Sequence, residues 1–442
     1  MTILLHPTEK CNFRCEYCFE PEEQRHVEIP MVSNFDAVER SLEMVYKDPM
    51  HAGGQVGIHG GEPTMASHTL LRRYFKLANS YNSANDHTNS IVTNGSLIDS
   101  KTIKLFKQYN VHVAISCDGP KELNVLRGPD PSNVAVTENY NKDLMKNIRE
   151  LRNNKISVAI MCILHTKNAG TDDKVEQLID WLDTLRLMGI SGGRINQMES
   201  NYPWTDKYEL SPDRLLTVYK RLFDWVVSDK GNRYLPMREF VDNLLGFGNS
   251  PCIFNKCDWY HTNTVSILPD GTISNCDRTF GEGLHVRAPT RSSVRQNVLA
   301  LTDCNGCRYW TVCYGGCPSE AIDGDWRRKN KFCDTIYGLY EHAENKLRGL
   351  LPNIVLTIDQ GYEDPFKRMS WAYVTRASSW GSYTPRTNVQ AASPKTSPYG
   401  PLGQYLTAEE KSLAGLDPTL PWRHVKGGYY ADEHTDSGGQ QQ

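Results

Sequence analysis

The chain has 442 residues, with 49 basic and 52 acidic side chains and a formal net charge of -3. This length allows a large catalytic domain and a second module, with a substantial buried core. Because the charges are interspersed without long single-sign blocks, the sequence predicts no electrostatic footprint for nucleic acid or for an anionic membrane.

Residues 1–30 lack the apolar core of a signal peptide, and no window of the chain approaches the length of a membrane-spanning apolar run. The 13 cysteines are an odd number in a long chain, and their spacings are typical of metal sites. We therefore predict a cytoplasmic protein whose reduced thiolates bind metal.

Short apolar runs alternate with helix-like stretches from residue 1 to about residue 230, which is typical of parallel strands joined by crossover helices. The six predicted strands are residues 3–6, 56–59, 91–93, 111–116, 157–164 and 193–197. Six strand-helix units are too few for a closed eight-stranded barrel. We therefore predict an α/β fold with an open, partial (βα)6 barrel over residues 1–230, and a site at the carboxyl ends of its strands.

The composition of the chain changes after residue 230. Residues 231–350 form cysteine-rich loops with little apolar periodicity, which predicts a second module held together by metal more than by a core. Residues 351–442 are rich in Ser, Thr, Tyr, Gly and Pro and end in Gly-Gly-Gln-Gln-Gln. This composition predicts a carboxyl-terminal extension that is partly disordered or binds a partner.

A first cysteine group follows the first predicted strand. Cys11, Cys15 and Cys18 lie in the segment Cys-Asn-Phe-Arg-Cys-Glu-Tyr-Cys, a spacing that lets one loop hold three corners of an iron-sulfur cluster. Three ligands for four irons leave one iron open to bind another molecule. A zinc knuckle is the alternative, although zinc would need a fourth protein ligand or a catalytic water.

This loop, with Tyr17 directly before its last cysteine, resembles the hallmark of the radical S-adenosylmethionine (SAM) superfamily. The resemblance implies that SAM chelates the open iron through its amino and carboxylate groups. It also implies that an electron from the reduced cluster splits SAM into methionine and a 5'-deoxyadenosyl radical. An enzyme is therefore expected, in which the cofactor supplies the difficult chemistry and the protein positions it.

Further segments resemble that family in the expected order along the chain. Gly60, Gly61 and Glu62 resemble the segment that receives the amino group of the methionine moiety, where glycines permit a close backbone approach. The implied cofactor-binding residues after the later strands are Asn94, Ser116, Arg127 and Asn196. Ser116 begins a Ser-x-Asp-Gly segment, and it and Arg127 are the implied contacts of the ribose and carboxylate. Each segment alone is also typical of a plain turn or a polar strand end.

Eight later cysteines divide into two complete sets of four. Their spacing resembles the SPASM domain that extends many radical SAM enzymes. That resemblance implies one auxiliary [4Fe-4S] cluster on Cys252, Cys257, Cys276 and Cys317, and another on Cys304, Cys307, Cys313 and Cys333. The chain is thus expected to hold three [4Fe-4S] clusters in all. Two structural zinc sites are the alternative for the second module, because the two kinds of site look alike in sequence.

The remaining two cysteines are Cys117 and Cys162, which lie within or at the ends of predicted strands. A small buried thiol packs well there, so we predict that both belong to the core. Cys117 has a second interpretation as a hydrogen donor, because it lies beside the predicted cofactor contacts.

Families with this architecture mostly modify peptides or proteins. They include sulfatase-maturing enzymes, which oxidise a cysteine or serine to formylglycine, and maturases that crosslink residues of ribosomally made peptides. We expect a peptide-crosslinking maturase, with formylglycine formation as the first alternative and a radical dehydrogenase of a small molecule as the second. A non-catalytic iron-sulfur scaffold would not need the open-iron loop with its Gly-Gly-Glu partner.

Asp277 directly follows the predicted ligand Cys276 and resembles the acid that accepts a proton in the sulfatase-maturing branch. An acid that caps a turn after a ligand is the alternative. The expected partners are a peptide substrate and a flavodoxin or ferredoxin as reductant. The first predicted ligand is already residue 11, so leader recognition is expected to come from a separate protein or from the carboxyl-terminal extension.

Overall fold

The computed structural model describes most of the chain up to residue 360. The described ranges are 2–19, 33–48, 51–130, 132–199, 204–228, 231–247, 252, 254, 264–276, 278 and 291–360. The predicted ligand Cys257, the predicted base Asp277 and almost all of the predicted carboxyl-terminal extension lie outside these ranges.

A nine-stranded sheet forms the centre of the described part of the chain. Its strands are β1 Thr2–Leu5, β2 Gln55–Ile58, β3 Asn89–Thr93, β4 Val111–Ser116, β5 Val158–Leu164, β6 Gly192–Gln197, β7 Arg233–Leu235, β8 Thr264–Ile267 and β9 Ile273–Ser274. They stand in the order β7-β6-β5-β4-β3-β2-β1-β8-β9, and every neighbouring pair is parallel except β8 with β9. The strands β1 to β6 follow the chain order, which confirms the predicted α/β fold.

Helices follow most of these strands, as crossover connections require. They are α1 Phe35–Lys47, α2 His68–Asn82, α3 Ser100–Gln108, α4 Val134–Asn153, α5 Thr166–Ala169, α6 Asp172–Leu187, α7 Pro212–Ser228, α8 Met237–Leu244, α9 Arg291–Leu301, α10 Trp310–Cys313 and α11 Cys333–Leu350. Polar side chains cap the start of α1, α2, α3 and α4; before α3, for example, the Asp99 side chain accepts the Thr102 amide at 2.7 Å. Among the described helices, none is long and apolar enough to cross a bilayer.

The parallel sheet sorts its residues onto two faces. Along β5, Cys162 and Leu164 are buried, whereas Met161 and Ile163 are only half-buried. Alternate residues of a strand point to opposite faces, so one face packs into the core and the other lines a more open side. Ser116 stands opposite Met161 in the register of β4 and β5, and therefore lies on the more open face near the carboxyl edge.

Both edges of the sheet contain strands that the sequence analysis omitted. β7 pairs with β6 but has only three residues, too few for alternation to be recognised. β8 belongs to the cysteine-rich region, yet it pairs in parallel with β1, from Thr2 opposite Thr264 to Leu5 opposite Ile267. The predicted six-stranded sheet is therefore extended by the second module, because β1 would otherwise expose an edge of unpaired backbone groups.

The last helix, α11, also joins the second module to the barrel. The Thr335 hydroxyl donates to the Pro212 carbonyl at 3.0 Å, and His342 Nε2 lies 2.8 Å from Asp224 Oδ1. At Gly338 the two helices lie close together, since a Cβ there would meet Leu216 Cδ2 at 2.8 Å. α11 therefore packs along α7, and the cysteine-rich region is anchored to the sheet at one end and to a barrel helix at the other.

Candidate active site

The cysteine loop after β1 is folded so that its three thiols share one region. The Phe13 amide donates to Cys11 Sγ at 3.4 Å, and Arg14 Nη1 donates to the Cys11 carbonyl at 3.1 Å. Cys11, Cys15 and Cys18 are all half-buried. Burial, together with the neighbouring Cys15, raises the pKa of Cys11 to about 12. A thiolate there needs a compensating positive charge, so the loop fits a metal cluster.

Gly60 and Gly61 pack directly against the chain that leads into this loop. The Gly61 amide donates to the Thr8 carbonyl at 3.1 Å. Gly60 has φ 112°, in the region that favours glycine, and a Cβ on either residue would overlap a carbonyl oxygen of the segment before Cys11. Both glycines are therefore required for the turn after β2 to reach the cysteine loop.

Glu62 is fully buried and its carboxylate is occupied by donors from the protein itself. Oε1 accepts the Thr64 amide at 2.9 Å and the Thr93 hydroxyl at 2.7 Å, and Oε2 accepts the Asn94 amide at 2.6 Å. Burial raises the pKa of Glu62 despite these donors. The carboxylate thus ties the turn after β2 to the end of β3.

Asn94 links the end of β3 to the cysteine loop. Its Nδ2 donates to Asn12 Oδ1 at 2.9 Å, and Asn12 Nδ2 donates to Ser96 Oγ at 3.0 Å. The Tyr140 hydroxyl donates to the Asn94 carbonyl at 3.0 Å. The predicted cofactor-binding residue Asn94 therefore already braces the residue that follows Cys11.

Tyr17 and Arg127, two predicted cofactor contacts, meet at the buried carboxylate of Asp118. This residue belongs to the Ser-x-Asp-Gly segment but was not among the predicted site residues. The Tyr17 hydroxyl donates to Asp118 Oδ2, and Arg127 donates to both of them, with Nε 3.4 Å from Asp118 Oδ2. His165, which the sequence analysis missed, has Nε2 3.6 Å from the same oxygen. Burial alone would raise the pKa of Asp118, but the charge of Arg127, with His165 and Tyr17, lowers it to about 2.

Ser116 and Asn196 stand at the same carboxyl edge. Ser116 ends β4 and is half-buried, and Asn196 lies one residue before the end of β6 with 8% of its surface exposed. Within the described residues, Asn196 Oδ1 has no hydrogen-bond partner. A buried acceptor of this kind is normally satisfied by water or a ligand, so Asn196 is suited to bind a donor group at the site.

A cavity of about 420 Å³ opens beside the cysteine loop. It is lined by Glu16, Glu122, Val125, Leu126, Lys167, Lys174 and Tyr208. Its wall at Leu126 is shared with a small buried apolar cluster of Leu126, Tyr17 and Met198. The cavity therefore borders the cysteine loop at Glu16, between the predicted ligands Cys15 and Cys18.

Four later thiols lie close enough to influence one another. Burial, with Cys333 and Cys307, raises the pKa of Cys304 to about 12. Burial, with Cys304 and Cys333, also raises the pKa of Cys313 well above its ordinary value. The structure therefore brings together the four residues that the SPASM resemblance assigns to one auxiliary cluster.

The other predicted set is described in part. Burial and the neighbouring Cys252 raise the pKa of Cys317 to about 12, so this pair of thiols is also close. Cys276 is half-buried and lies two residues after the end of β9. Among the described residues, no group of three or more His, Cys, Asp or Glu side chains converges on a single metal ion.

Cys117 and Cys162 are both buried, at 2% and 0% exposure. The Cys117 thiol lies 3.4 Å from the Gly119 carbonyl and donates to it. Burial raises the pKa of Cys117 to about 12, so it stays a neutral thiol. This placement agrees with the predicted core role of both residues.

Comparison with a family model and with a curated relative agrees with this geometry. The model described as the radical SAM superfamily matches residues 5–182, a range that contains the cysteine loop, the glycine pair and Asp118. A cysteine-type anaerobic sulfatase-maturating enzyme of Clostridium novyi (strain NT) is 26% identical over 377 residues. That similarity covers 78% of this chain and 96% of the relative.

Two solved structures share the fold. Native anSMEcpe with bound AdoMet and Cp18Cys peptide matches with a TM-score of 0.61 at 20% identity, covering 80% of this chain and 99% of that one. Streptococcus suis SuiB bound to precursor peptide SuiA matches with a TM-score of 0.51 at 16% identity, covering 75% of each chain. At these identities the likeness establishes the fold.

Proposed function

We propose that this chain, which carries a radical SAM domain over residues 5–182, is an enzyme that cleaves SAM reductively and modifies a peptide. The observation that carries the proposal is the packing of three half-buried thiols between the glycine pair after β2 and the network of Tyr17, Asp118 and Arg127. This site lies at the carboxyl ends of parallel strands, where α/β folds place their active sites.

The proposed metal sites lie in both the barrel and the second module. Cys11, Cys15 and Cys18 would hold the [4Fe-4S] cluster that binds SAM, and the two later sets would hold one auxiliary [4Fe-4S] cluster each. When bound, the first cluster supplies the electron that splits SAM into methionine and a 5'-deoxyadenosyl radical. The neighbouring thiols that help to raise the pKa values of Cys11, Cys304 and Cys317 fit this assignment, because bound metal would compensate the charge of adjacent thiolates.

The protein's own part is to bind and orient SAM and to exclude water. The backbone of Gly60 and Gly61 borders the cysteine loop and suits the amino group of SAM. The guanidinium of Arg127 suits its carboxylate, and the unpartnered Asn196 Oδ1 suits a ribose hydroxyl. Apolar walls at Leu126 beside Tyr17 keep water away from a reactive intermediate.

The first experiment is to measure iron and sulfide after anaerobic reconstitution and to assay 5'-deoxyadenosine with dithionite as reductant. We expect about twelve irons per chain and formation of the nucleoside. About four irons with bound zinc would keep the SAM chemistry and make the second module a zinc domain. If iron is bound but SAM is not cleaved, the proposed enzyme activity is wrong.

For the substrate, we propose a ribosomally made peptide in which two residues become crosslinked. The peptide-bound neighbours, titled with Cp18Cys peptide and with precursor peptide SuiA, support a peptide substrate. The test incubates the reconstituted enzyme with short peptides encoded near its gene and analyses the products by tandem mass spectrometry. A crosslink removes two hydrogens and suppresses fragmentation between the joined residues.

The second candidate function is formylglycine formation on a sulfatase. The 26% identity to a sulfatase-maturating enzyme, over nearly the whole length of that relative, favours this candidate. In the same assay, a sulfatase-derived peptide would gain an aldehyde that reacts with a hydrazide, whereas a crosslinked peptide would not. A radical dehydrogenase acting on a small molecule would leave both kinds of peptide unchanged.

Asp277 belongs to this proposal as the base that removes a proton from the oxidised substrate. Asp277→Asn is expected to keep SAM cleavage and lose product formation, and a variant that still forms product would exclude the role. A flavodoxin or ferredoxin is the proposed reductant, and a separate leader-binding protein the proposed additional partner. We also propose a cytoplasmic location, because reducing compartments keep thiolates available for clusters.

A further inference from the structure

Asp118 occupies the centre of a buried network at the carboxyl ends of β4 and β5. Its side chain is fully buried. Oδ1 accepts the Ile163 amide at 2.9 Å, while Oδ2 accepts the Tyr17 hydroxyl and lies 3.4 Å from Arg127 Nε. His165 Nε2, also fully buried, lies 3.6 Å from Oδ2. One carboxylate therefore contacts three separate segments of the chain, around Tyr17, around Arg127 and at residues 163–165.

Two of these segments are those predicted to meet the cofactor. The Tyr17 hydroxyl receives a hydrogen bond from Arg127, whose guanidinium carbon also lies 5.4 Å from the centre of the Tyr17 ring. The backbone reinforces the contact, because the Glu16 amide donates to the Leu126 carbonyl at 2.9 Å and the Arg14 amide donates to Gly128 at 2.9 Å. The segment around Arg127 thus runs beside the cysteine loop.

The charge of Arg127 has one described carboxylate partner, since its ion pair is with Asp118 and its side chain is only 11% exposed. Without that carboxylate, a buried guanidinium would lose its counterion and the Tyr17 hydroxyl would lose its acceptor. Both groups would then be free to adopt other orientations. The Asp118 backbone is itself held, because its amide donates to Asn124 Oδ1 at 2.8 Å and Asn168 Nδ2 donates to its carbonyl at 3.0 Å.

We infer that Asp118 is a positioning residue, whose carboxylate fixes Tyr17 and Arg127 in one orientation and thereby holds the cysteine loop and the cofactor contact in register. This inference rests on the proposed function. Asp118 acts through the two residues that it binds, because both of its carboxylate oxygens are engaged by groups of the protein itself. The sequence motif Ser-x-Asp-Gly therefore contains two residues with different roles. Ser116 lies on the open face, and Asp118 orients Tyr17 and Arg127.

A matched control exists in the second module. Glu344 is also a buried carboxylate that accepts a tyrosine hydroxyl, that of Tyr309 at 2.7 Å, and it binds two arginines, Arg308 and Arg348. Its removal therefore disrupts a network of the same composition, beside a different set of cysteines. Glu344→Gln tests whether any effect of Asp118→Asn is a general consequence of losing a buried carboxylate.

The experiment compares the reconstituted wild type, Asp118→Asn and Glu344→Gln by SAM titration and by electron paramagnetic resonance of the reduced cluster with and without SAM. We expect Asp118→Asn to raise the dissociation constant and the KM for SAM by about tenfold, with kcat for nucleoside formation changed by less than about threefold. The electron paramagnetic resonance signal recorded with SAM should be broader in Asp118→Asn than in the wild type. Glu344→Gln should leave both SAM constants and the spectrum unchanged.

Unchanged SAM constants and spectrum in Asp118→Asn would overturn the inference and make the network merely structural. Equal effects in Glu344→Gln would overturn it as well. If Asp118→Asn does not fold, Tyr17→Phe removes only the hydroxyl from the same network, and it should raise the dissociation constant for SAM in the same direction. A wild type that binds iron but does not cleave SAM would refute the proposed function itself, an outcome distinct from these.

Discussion

The barrel and the second module each place a tyrosine hydroxyl and a carboxylate beside a cysteine loop, but in different surroundings. In the barrel the Tyr17 hydroxyl donates to Asp118, whose arginine partner has a side chain that is 11% exposed. In the second module the Tyr309 hydroxyl donates to Glu344, whose partner Arg308 is 47% exposed. Water therefore screens the charges of the Glu344 network, which is partly exposed, much more than those of the buried Asp118 network.

The two regions also differ in what holds their cysteines. The barrel loop is pinned by the glycine pair, by Asn94 and by the 126–128 segment, and Phe13 of this loop packs into the large hydrophobic core of the described residues. Near the later cysteines, the separate apolar cluster consists of Leu299, Ala300, Cys304 and Trp310. Val312, Cys317 and Phe332 nevertheless pack into the same large core as Phe13. We therefore expect bound metal to contribute to the fold chiefly around the small cluster at Cys304, whereas the barrel loop is held by protein contacts.

The largest expected effect is the loss of the barrel cluster alone. Replacing Cys11, Cys15 and Cys18 by Ala should abolish SAM cleavage and remove about four of about twelve irons, because the later sets keep their own ligands. Iron analysis and the nucleoside assay measure both quantities. Cys162→Ala, which alters a buried core thiol, is the control and should keep all the iron. Residual SAM cleavage in the triple variant would contradict the site assignment.

Removing all the iron should separate the two regions. We expect the anaerobically chelated protein to lose hydrogen-exchange protection over residues 304–333, while strands β1 to β6 keep most of theirs. Hydrogen-deuterium exchange with mass spectrometry reports each segment. Equal loss of protection in both regions would show that the barrel also depends on metal, and would contradict the proposed difference between the two regions.

The two carboxylate networks should differ in their contribution to stability. Asp118→Asn leaves a buried guanidinium without its counterion and should cost about 3–5 kcal/mol of unfolding free energy. Glu344→Gln should cost about 1 kcal/mol, because Arg308 and Arg348 are partly solvated, at 47% and 31% exposure. Urea unfolding of the holoprotein gives both values. A larger loss of unfolding free energy in Glu344→Gln than in Asp118→Asn would show that the second network contributes more to stability than the first.

The smallest expected effect is on pH dependence. The pKa of Asp118 falls from an ordinary value of 3.8 to about 2, so its contribution to stability is complete above pH 3.8 and is lost only as the pH falls through about 2. The difference in melting temperature between wild type and Asp118→Asn should therefore be constant from about pH 6 to about pH 9. A difference that changes across this range would indicate another titrating partner.

Part of this site could be predicted from the sequence because its signals are local. Three cysteines within eight residues, two adjacent glycines after a strand and alternating apolar runs each act through near neighbours in the chain. The six strands of the barrel were predicted in this way, whereas the grouping of Cys304, Cys307, Cys313 and Cys333 was implied only by the SPASM resemblance, since sequence order does not establish it. The order of β1 to β6 followed as well, since right-handed crossovers place consecutive parallel strands side by side.

The remaining features depend on contacts between residues far apart in the chain. His165 joins Asp118 from 47 residues away, and Glu62 accepts the Asn94 amide from 32 residues away, and no local pattern marks either contact. β8 pairs with β1 across more than 250 residues because β1 has a free edge, which only the assembled sheet reveals. The sequence by itself therefore determined which chemistry this protein carries. Only the tertiary structure shows that Glu62 and Asp118 brace the site, because their burial and their long-range hydrogen bonds depend on distant parts of the chain.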